Sequence, residues 1–243
     1  MKWYFPIDNN SNELYQEIGA TIKEFYPLGS DRDSRAYNEH AGILKINDQI
    51  NSQMLHYNSY MKPWKLFLKS LPRGYKSSVQ NNSFAHEISF SGKITLDTFK
   101  NEKVIIEKSL HFSVSGLAKY FNIHGIDETC ILLKEDKDSY NRGAYYAINA
   151  VTVSPYMEFE NPFNYVFKSI TEHFPDYKFI PFNICQAFVK GLQTPHSNLQ
   201  ECTVYNALFR DVYDCSCIQQ LRGDWYFESG KSNVEVSLMP PPL

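Results

Sequence analysis

Hydrophobic residues in the first part of the chain recur at the spacing of an α-helix. Between residues 12 and 26 the apolar positions lie four, four and three residues apart, and they are Leu14, Ile18, Ile22 and Phe25. This spacing places them on one side of a helix. A second helix is predicted from about residue 41 to 60, and a third, short helix has Pro63 in its first turn and ends before Pro72.

From Phe84 the apolar period changes to two, the period of a β-strand. The even positions up to residue 98 are Phe84, His86, Ile88, Phe90, Ile94, Leu96 and Thr98. A three-residue hairpin loop at 91–93 would pair Phe90 with Ile94 and keep apolar residues on one face, and we predict this form. A two-residue loop at Gly92 and Lys93 would place apolar and polar residues on the same face of the hairpin. One continuous strand with a bulge at Gly92 would also keep the faces in order.

Further strand and helix patterns follow in an irregular order. The predicted strands are 104–114, 129–133, 144–153, 202–209, 224–228 and 234–238, and the predicted helices are 116–121, 162–174 and 184–190. Residues 144–153 are apolar on both faces, so we expect a central strand that is covered on both sides.

This order of elements decides the fold class. Strands and helices do not alternate strictly, which argues against a doubly wound parallel sheet. We predict an α+β protein in which a mostly antiparallel sheet, a meander from about residue 84, packs against several amphipathic helices. One domain over residues 1–243 is the simplest organisation, and two lobes that meet near 116–128 are the alternative.

Charge and composition restrict the kinds of partner. The net charge is −3, with 24 basic and 27 acidic residues, and the basic residues form no stripe along the chain. Phosphate backbones require such a stripe and favour arginine, of which there are only six. The sequence therefore predicts no nucleic-acid partner.

The N-terminus and the cysteines suggest the compartment. The first eight residues lack the apolar core of a signal peptide, and no apolar run is long enough to cross a membrane. Five cysteines, an odd number in a chain of 243 residues, do not form an obvious disulfide framework. We expect a cytoplasmic protein with reduced thiols and no membrane partner.

Linear motifs for cofactor and catalytic chemistry are missing from the sequence. It has no glycine-rich phosphate loop, no G-x-S-x-G, no H-E-x-x-H and no C-x-x-C. No cofactor is predicted. An Arg222-Gly223-Asp224 tripeptide matches a cell-adhesion motif, but we interpret it as a turn in which Gly223 supplies an unusual backbone angle.

Metal binding has one weak candidate set. Cys202, Cys215 and Cys217, with His196 upstream, are the residue types that zinc prefers. The C-x-C spacing is poorer than the usual zinc spacing, and Cys202 lies in an apparently buried segment. We therefore predict buried or half-buried thiols and no metal.

The first functional hypothesis is a non-catalytic protein that binds and occludes a protein partner. Slight acidity, many tyrosines and long polar loops are typical of bacterial inhibitors such as immunity or antitoxin-like proteins, whose task is a complementary surface. The candidate partner-binding residues lie in two loops, and they are Asp31, Asp33, Glu135, Asp136 and Asp138. These carboxylates would suit a basic partner.

The alternative is a hydrolase whose site is assembled from scattered Asp, Glu, His and Cys residues. Such a site needs a deep polar pocket into which titratable groups converge. An exposed surface with tyrosines would instead favour the binding hypothesis.

Overall fold

The computed structural model describes residues 3–8, 12–72, 74, 78–132, 144–197, 200–210 and 220–228. The helices in these ranges are α1 (Glu13–Phe25), α2 (Arg35–Asn38), α3 (Ala41–Leu55), α4 (Tyr57–Ser70), α5 (Glu160–His173), α6 (Phe182–Cys185) and α7 (Val204–Leu208). The strands are β1 (Val79–Asn81), β2 (Ser89–Lys100), β3 (Val104–Ser115), β4 (Tyr120–Leu132), β5 (Ala144–Thr152), β6 (Lys178–Phe179) and β7 (Leu221–Arg222). None of these helices combines the length and apolar character needed to cross a bilayer.

All seven strands belong to one sheet. Its order is β1-β2-β3-β4-β5-β7, and β6 pairs with β4 beside this path. The pairs from β1 to β5 are antiparallel, whereas the short strands β6 and β7 are parallel to their neighbours. The prediction of an α+β protein with a mostly antiparallel meander is confirmed.

One face of the sheet, here called the helix-covered face, packs against α4 and α5. Its buried side chains are Ile94, Leu110, Phe112, Val114, Phe121 and Ile123. Trp64 of α4 lies at the centre, with its ring 5.4 Å from that of Phe90 and 5.8 Å from that of Phe112. Because aromatic rings bury large areas, this contact is a major source of stability.

The opposite face, here called the polar face, carries serines and histidines. Its buried or half-buried side chains are Ser89, Ser91, Lys93, Ser109, His111, Ser113, Asn122 and His124. Segments around α6 and α7 cover it, with Phe182 and Tyr205 next to His124. Beyond them, α1 and α3 contribute Ile18, Ile22, Ile43 and Ile46 to a second apolar core.

The predicted hairpin at 91–93 is wrong, because β2 runs without a turn from Ser89 to Lys100. Gly92 is buried in the strand opposite Phe112. A Cβ atom at Gly92 would lie 2.5 Å from two ring atoms of Phe112, so glycine is needed for a close approach and not for a turn. The irregularity in β2 lies instead between Thr95 and Asp97.

Other local patterns were overridden by tertiary contacts. Residues 116–121, a predicted helix, form the β3–β4 turn and the first residues of β4. Residues 202–209, a predicted strand, contain α7, which begins with a capping box between Thr203 and Asn206. The strand predicted at 224–228 is wrong, because residues 225–228 form turns. The predicted strand 234–238 lies outside the described residues.

Helix boundaries in the first part also differ from the prediction. The expected helix at 41–60 ends at Leu55, and α4 begins at Tyr57 after an irregular conformation at His56. Pro63 therefore lies within α4 and not in its first turn. The helix at 12–26 is confirmed, with the Asn12 side chain accepting a hydrogen bond from the Leu14 N–H at 2.9 Å.

The expectation of a central β5 strand covered on both sides is wrong for most of its length. Its first half is largely exposed, and β7 pairs only with Val151 and Thr152. Apolar residues on both faces of a strand do not reveal whether it lies at the edge of a sheet. The turn at Gly223 is confirmed by its φ of 93°.

Gly92→Ala should destabilise the fold. The added methyl group has no room beneath the Phe112 ring, and overpacking of a core costs about 1–3 kcal/mol. Urea denaturation should therefore show a lower free energy of unfolding. Gly74→Ala is the control, since a Cβ atom there has no neighbour within 4 Å. Equal stability of the Gly92→Ala variant and the wild type would contradict this account.

Candidate functional site

The strands of the sheet are much longer than the helices that cover it. Strands β2, β3 and β4 contain 12, 12 and 13 residues, which correspond to about 40 Å at about 3.3 Å per residue. Helices α4 and α5 contain 14 residues each, which correspond to about 21 Å. These helices therefore cover only part of the sheet and leave one end of it open.

The open end presents an apolar surface that we call the distal patch. It consists of Phe99, Ile106, Ile131 and Tyr145, whose exposed fractions are 57%, 40%, 48% and 67%. Phe99 lies opposite Ile106, and Ile131 lies opposite Tyr145. Because Ile106 is four residues from Leu110 on the same strand, the patch continues the helix-covered face beyond its helices.

Cross-strand pairing gives the distal patch a defined shape. Ile106 lies opposite Thr129 and Val104 lies opposite Ile131, so the patch extends across four hydrogen-bonded strands. Side chains directly or diagonally opposite on a sheet are close enough to form one surface. The backbone beneath them is fixed by its ladders, so a partner would meet a preformed surface.

The candidate residues Glu135, Asp136 and Asp138 lie outside the described residues. The strands that their segment joins end at Leu132 and begin at Ala144, and these two residues are paired. The described residues at its two ends, Leu132 and Ala144, are adjacent in the chain to Ile131 and Tyr145 of the distal patch.

Asp31 and Asp33 lie in a different loop, between α1 and α2. The Asp31 side chain accepts a hydrogen bond from the Asp33 N–H at 2.9 Å, which stabilises the turn. The Arg32 N–H donates to the Gln193 side chain at 2.8 Å and ties this loop to another part of the chain. The structure thus fixes this loop against the segment that contains Gln193.

Of the candidate thiol set, only Cys202 and His196 lie within the described residues. Cys202 is buried, and its sulfur lies 3.4 Å from the Thr194 hydroxyl. Cys215 and Cys217 lie outside the described residues. Over the described ranges, no group of three or more His, Cys, Asp and Glu residues is arranged to hold a metal ion.

His196 lines a cavity of about 370 Å³. Its apolar walls are formed by Tyr26, Ile46, Ile50, Ile88 and Pro195. His86 and Glu87 also line it, and Glu87 forms an ion pair with Arg210 at 2.7 Å.

A second, open groove of about 690 Å³ lies beside β7. Arg222 donates a hydrogen bond to Asp127 at 2.9 Å, and Lys108 forms an ion pair with Glu158. The Lys108 hydrogen bond lowers the pKa of Glu158. Lys108, Glu158 and Arg222 of this groove are thus held in ion pairs, as in a structural ion-pair cluster.

Titratable groups also converge on the polar face, where they satisfy one another. The rings of His111 and His124 are 5.7 Å apart and nearly parallel. The Asn122 side chain donates to the Ile180 carbonyl, so its oxygen is free to accept a hydrogen bond from His124 at 2.8 Å. Ser109 lies 3.0 Å from a ring nitrogen of His111.

Burial keeps these two histidines neutral. It lowers the pKa of His124 to about 3 and, with the neighbouring His124 ring and Lys93, lowers the pKa of His111 well below its usual value. A neutral imidazole could act as a base, but neither of the two cavities described above is lined by these rings. The arrangement is that of an internal polar network.

Comparison with family models, curated proteins and solved structures finds no match to this chain. Its function is therefore inferred from the geometry of the described residues.

Sequence reasoning missed the distal patch. The strand predicted at 104–114 contains Ile106 and Leu110, and their spacing of four residues places both on one face. The available signal was strand length, because a strand of this length is longer than most helices can cover.

Acid should destabilise the protein through His124. A histidine in the unfolded chain titrates near 6.5, whereas His124 in the folded protein titrates at about 3. Between these values the unfolded state binds a proton that the folded state does not. The free energy of unfolding should therefore fall as the pH decreases from about 6.5, by up to about 1.4 kcal/mol per pH unit from this residue.

The His124→Asn variant tests this slope, because asparagine does not titrate and its amide can still donate to Asn122. Denaturation between pH 7 and 4 should show a shallower decline in this variant than in the wild type. His56→Asn, at an exposed position, is the control and should retain the wild-type slope. Parallel curves for wild type and His124→Asn would refute the assignment.

Proposed function

We propose that this chain is a non-catalytic protein-binding protein that occludes a protein partner. The observation that carries the proposal is the distal patch, an apolar surface that the helices of its own fold leave uncovered. The sequence profile favours a protein of the bacterial cytoplasm that acts as an immunity or antitoxin-like inhibitor.

The composition of the distal patch supports protein recognition. Phe99 and Tyr145 are aromatic, and aromatic side chains are enriched at the energetic centres of protein interfaces. Contiguous exposed apolar surfaces of this kind mark interaction sites more often than scattered single residues do. A rigid sheet also loses little conformational freedom when it binds.

Charge can assist this recognition. Glu135, Asp136 and Asp138 belong to the segment that joins the strands of Ile131 and Tyr145. Carboxylates at the rim of an interface mainly accelerate encounter with a basic partner and contribute less to the final affinity. We therefore assign them a steering role and assign the affinity to the apolar residues.

The hydrolase alternative receives less support from the described geometry. The histidines of the polar face are enclosed by the protein's own hydrogen bonds, and Glu158 of the groove beside β7 and the neighbouring Asp127 are held in ion pairs. A hydrolytic site would instead require titratable groups that face a cavity open to substrate.

Ile106→Asp should weaken partner binding at least tenfold without unfolding the protein. A charge at the centre of the patch must be desolvated in the complex, and a loss of about 1.4 kcal/mol or more weakens binding at least tenfold. Affinity capture from the native host with mass spectrometry should recover a stoichiometric partner with wild type and not with the variant. Leu44→Asp, a similarly exposed position on α3, is the matched control.

The outcome that contradicts the proposal is equally specific. If Ile106→Asp and Leu44→Asp retain the same partner to the same extent, the distal patch is not the binding surface. Thermal melting followed by circular dichroism must show that both variants remain folded.

Replacing Glu135, Asp136 and Asp138 with lysine should slow association with the partner at low salt. Electrostatic steering changes association rates by about tenfold or more, and salt screens it. Stopped-flow or surface binding kinetics at several ionic strengths would measure this effect. Asp33→Lys is the comparison, and a larger effect from Asp33 would move the binding surface to the loop between α1 and α2.

A further inference from the structure

The cavity beside helix α3, here called the α3 cavity, has a mainly apolar interior. Ile46 and Ile50 of α3 line it, together with Ile88 and Tyr26. Residues four apart lie on the same side of a helix, so the two isoleucines form one continuous wall. The interior therefore suits the apolar part of a ligand.

The volume of the α3 cavity limits the size of that ligand. Its 370 Å³ corresponds to about twelve water molecules, since each occupies about 30 Å³ in the liquid. Ligand sites in proteins begin at about 300 Å³. The cavity thus lies at the lower end of this range and has room for one ring or two fused rings.

Two histidines mark the mouth of the α3 cavity. His86 and His196 line it and are exposed, whereas Ile46 is 1% exposed and Ile88 is 5% exposed. The apolar residues therefore form the floor, and the imidazole rings lie where the cavity meets solvent. A neutral imidazole has one donor and one acceptor nitrogen, so these rings can bind a polar group of the ligand.

The turn that carries His86 is held in place by the protein itself. The Glu87 N–H donates to the Phe84 carbonyl at 3.1 Å. The Gln53 amide, oriented with its nitrogen towards the turn, donates to the carbonyls of Ala85 and Glu87 at 3.0 and 3.1 Å. The His86 ring stacks on the Phe84 ring at 5.5 Å. This side of the mouth is thus preformed, which lowers the entropic cost of binding.

The charge beside the α3 cavity is already compensated. Glu87 is the acidic residue in the described part of the wall, and its carboxylate pairs with Arg210 at 2.7 Å. A charged ligand would lose its hydration on entry without gaining an opposite charge that lacks compensation. The electrostatics therefore favour an uncharged ligand.

We propose that the α3 cavity binds a small, uncharged aromatic molecule that carries an N–H or O–H donor. Its ring lies against the isoleucine floor, and its donor contacts an imidazole nitrogen at the mouth. An aromatic ring is favoured because it is rigid and can pack against Tyr26. This site goes beyond the proposed function and does not depend on the distal patch or its partner.

The same residues support binding rather than catalysis. Among the described residues of the cavity wall none is a serine, threonine or cysteine, so no hydroxyl or thiol nucleophile lies beside the histidines. The Glu87 carboxylate is engaged by Arg210. We therefore assign the cavity a ligand and no reaction.

Indole and benzofuran are the probes that test this site. The two molecules have nearly the same size and shape, but only indole has an N–H donor. Titration of the isotope-labelled full chain, followed by amide chemical shifts in NMR spectra, should give a dissociation constant for indole below about 1 mM. Benzofuran should bind at least about threefold more weakly, because it makes no hydrogen bond at the mouth.

Three variants locate the site. Ile50→Trp fills the cavity and should weaken both probes at least tenfold. Leu44→Trp is the matched control, since it adds the same ring at an exposed position of α3 and should bind both probes as the wild type does. The double variant His86→Leu and His196→Leu leaves the floor intact, so it should bind the two probes equally well. Circular dichroism should show that all three variants fold.

Several results would overturn the proposal. The first is an indole titration of the wild type that shows no saturable shift up to about 5 mM. The second is equal binding of indole by Ile50→Trp and Leu44→Trp, which would place the probe outside the α3 cavity. The third is an unchanged preference for indole in the double histidine variant, which does not alter the core and so remains decisive if Ile50→Trp fails to fold.

Discussion

The contact between Trp64 of α4 and the rings of Phe90 and Phe112 fixes the arrangement of the whole sheet. It holds α4 over one part of strands that are about twice as long as the helix. Gly92 permits this contact by leaving space for the Phe112 ring. The remainder of the helix-covered face is consequently open, and the distal patch is a direct result of where these aromatic residues lie.

The two faces of the sheet contribute to stability in different ways. The helix-covered face is apolar, and its stabilisation comes from the burial of large side chains. The polar face depends on hydrogen bonds among serines, Asn122, His124 and Tyr205, which must all be satisfied because water is excluded. The same burial that keeps His124 neutral makes this face sensitive to protonation.

The open end of the sheet concentrates the features available for binding. The side chains of the distal patch project from one face, whereas the backbone groups of β5 point sideways in the plane of the sheet. The distal patch and the exposed part of β5 meet at Tyr145.

The sequence alone determined the elements whose signal is local. The spacing of Leu14, Ile18 and Ile22 predicted α1, and the period of two after Phe84 predicted the meander, because side-chain direction follows directly from helix and strand geometry. Gly223 was predicted to adopt its unusual backbone angle for the same local reason.

Only the tertiary structure decided which parts of those elements are covered. Ile106 and Leu110 share one strand and one face, yet Leu110 lies beneath a helix and Ile106 is exposed. The sequence predicts a turn at Gly92. In the structure Gly92 instead leaves space for the ring of Phe112, which lies 20 residues later in the chain. The physical reason is that periodicity specifies the face of a side chain, whereas burial depends on which distant element packs against that face.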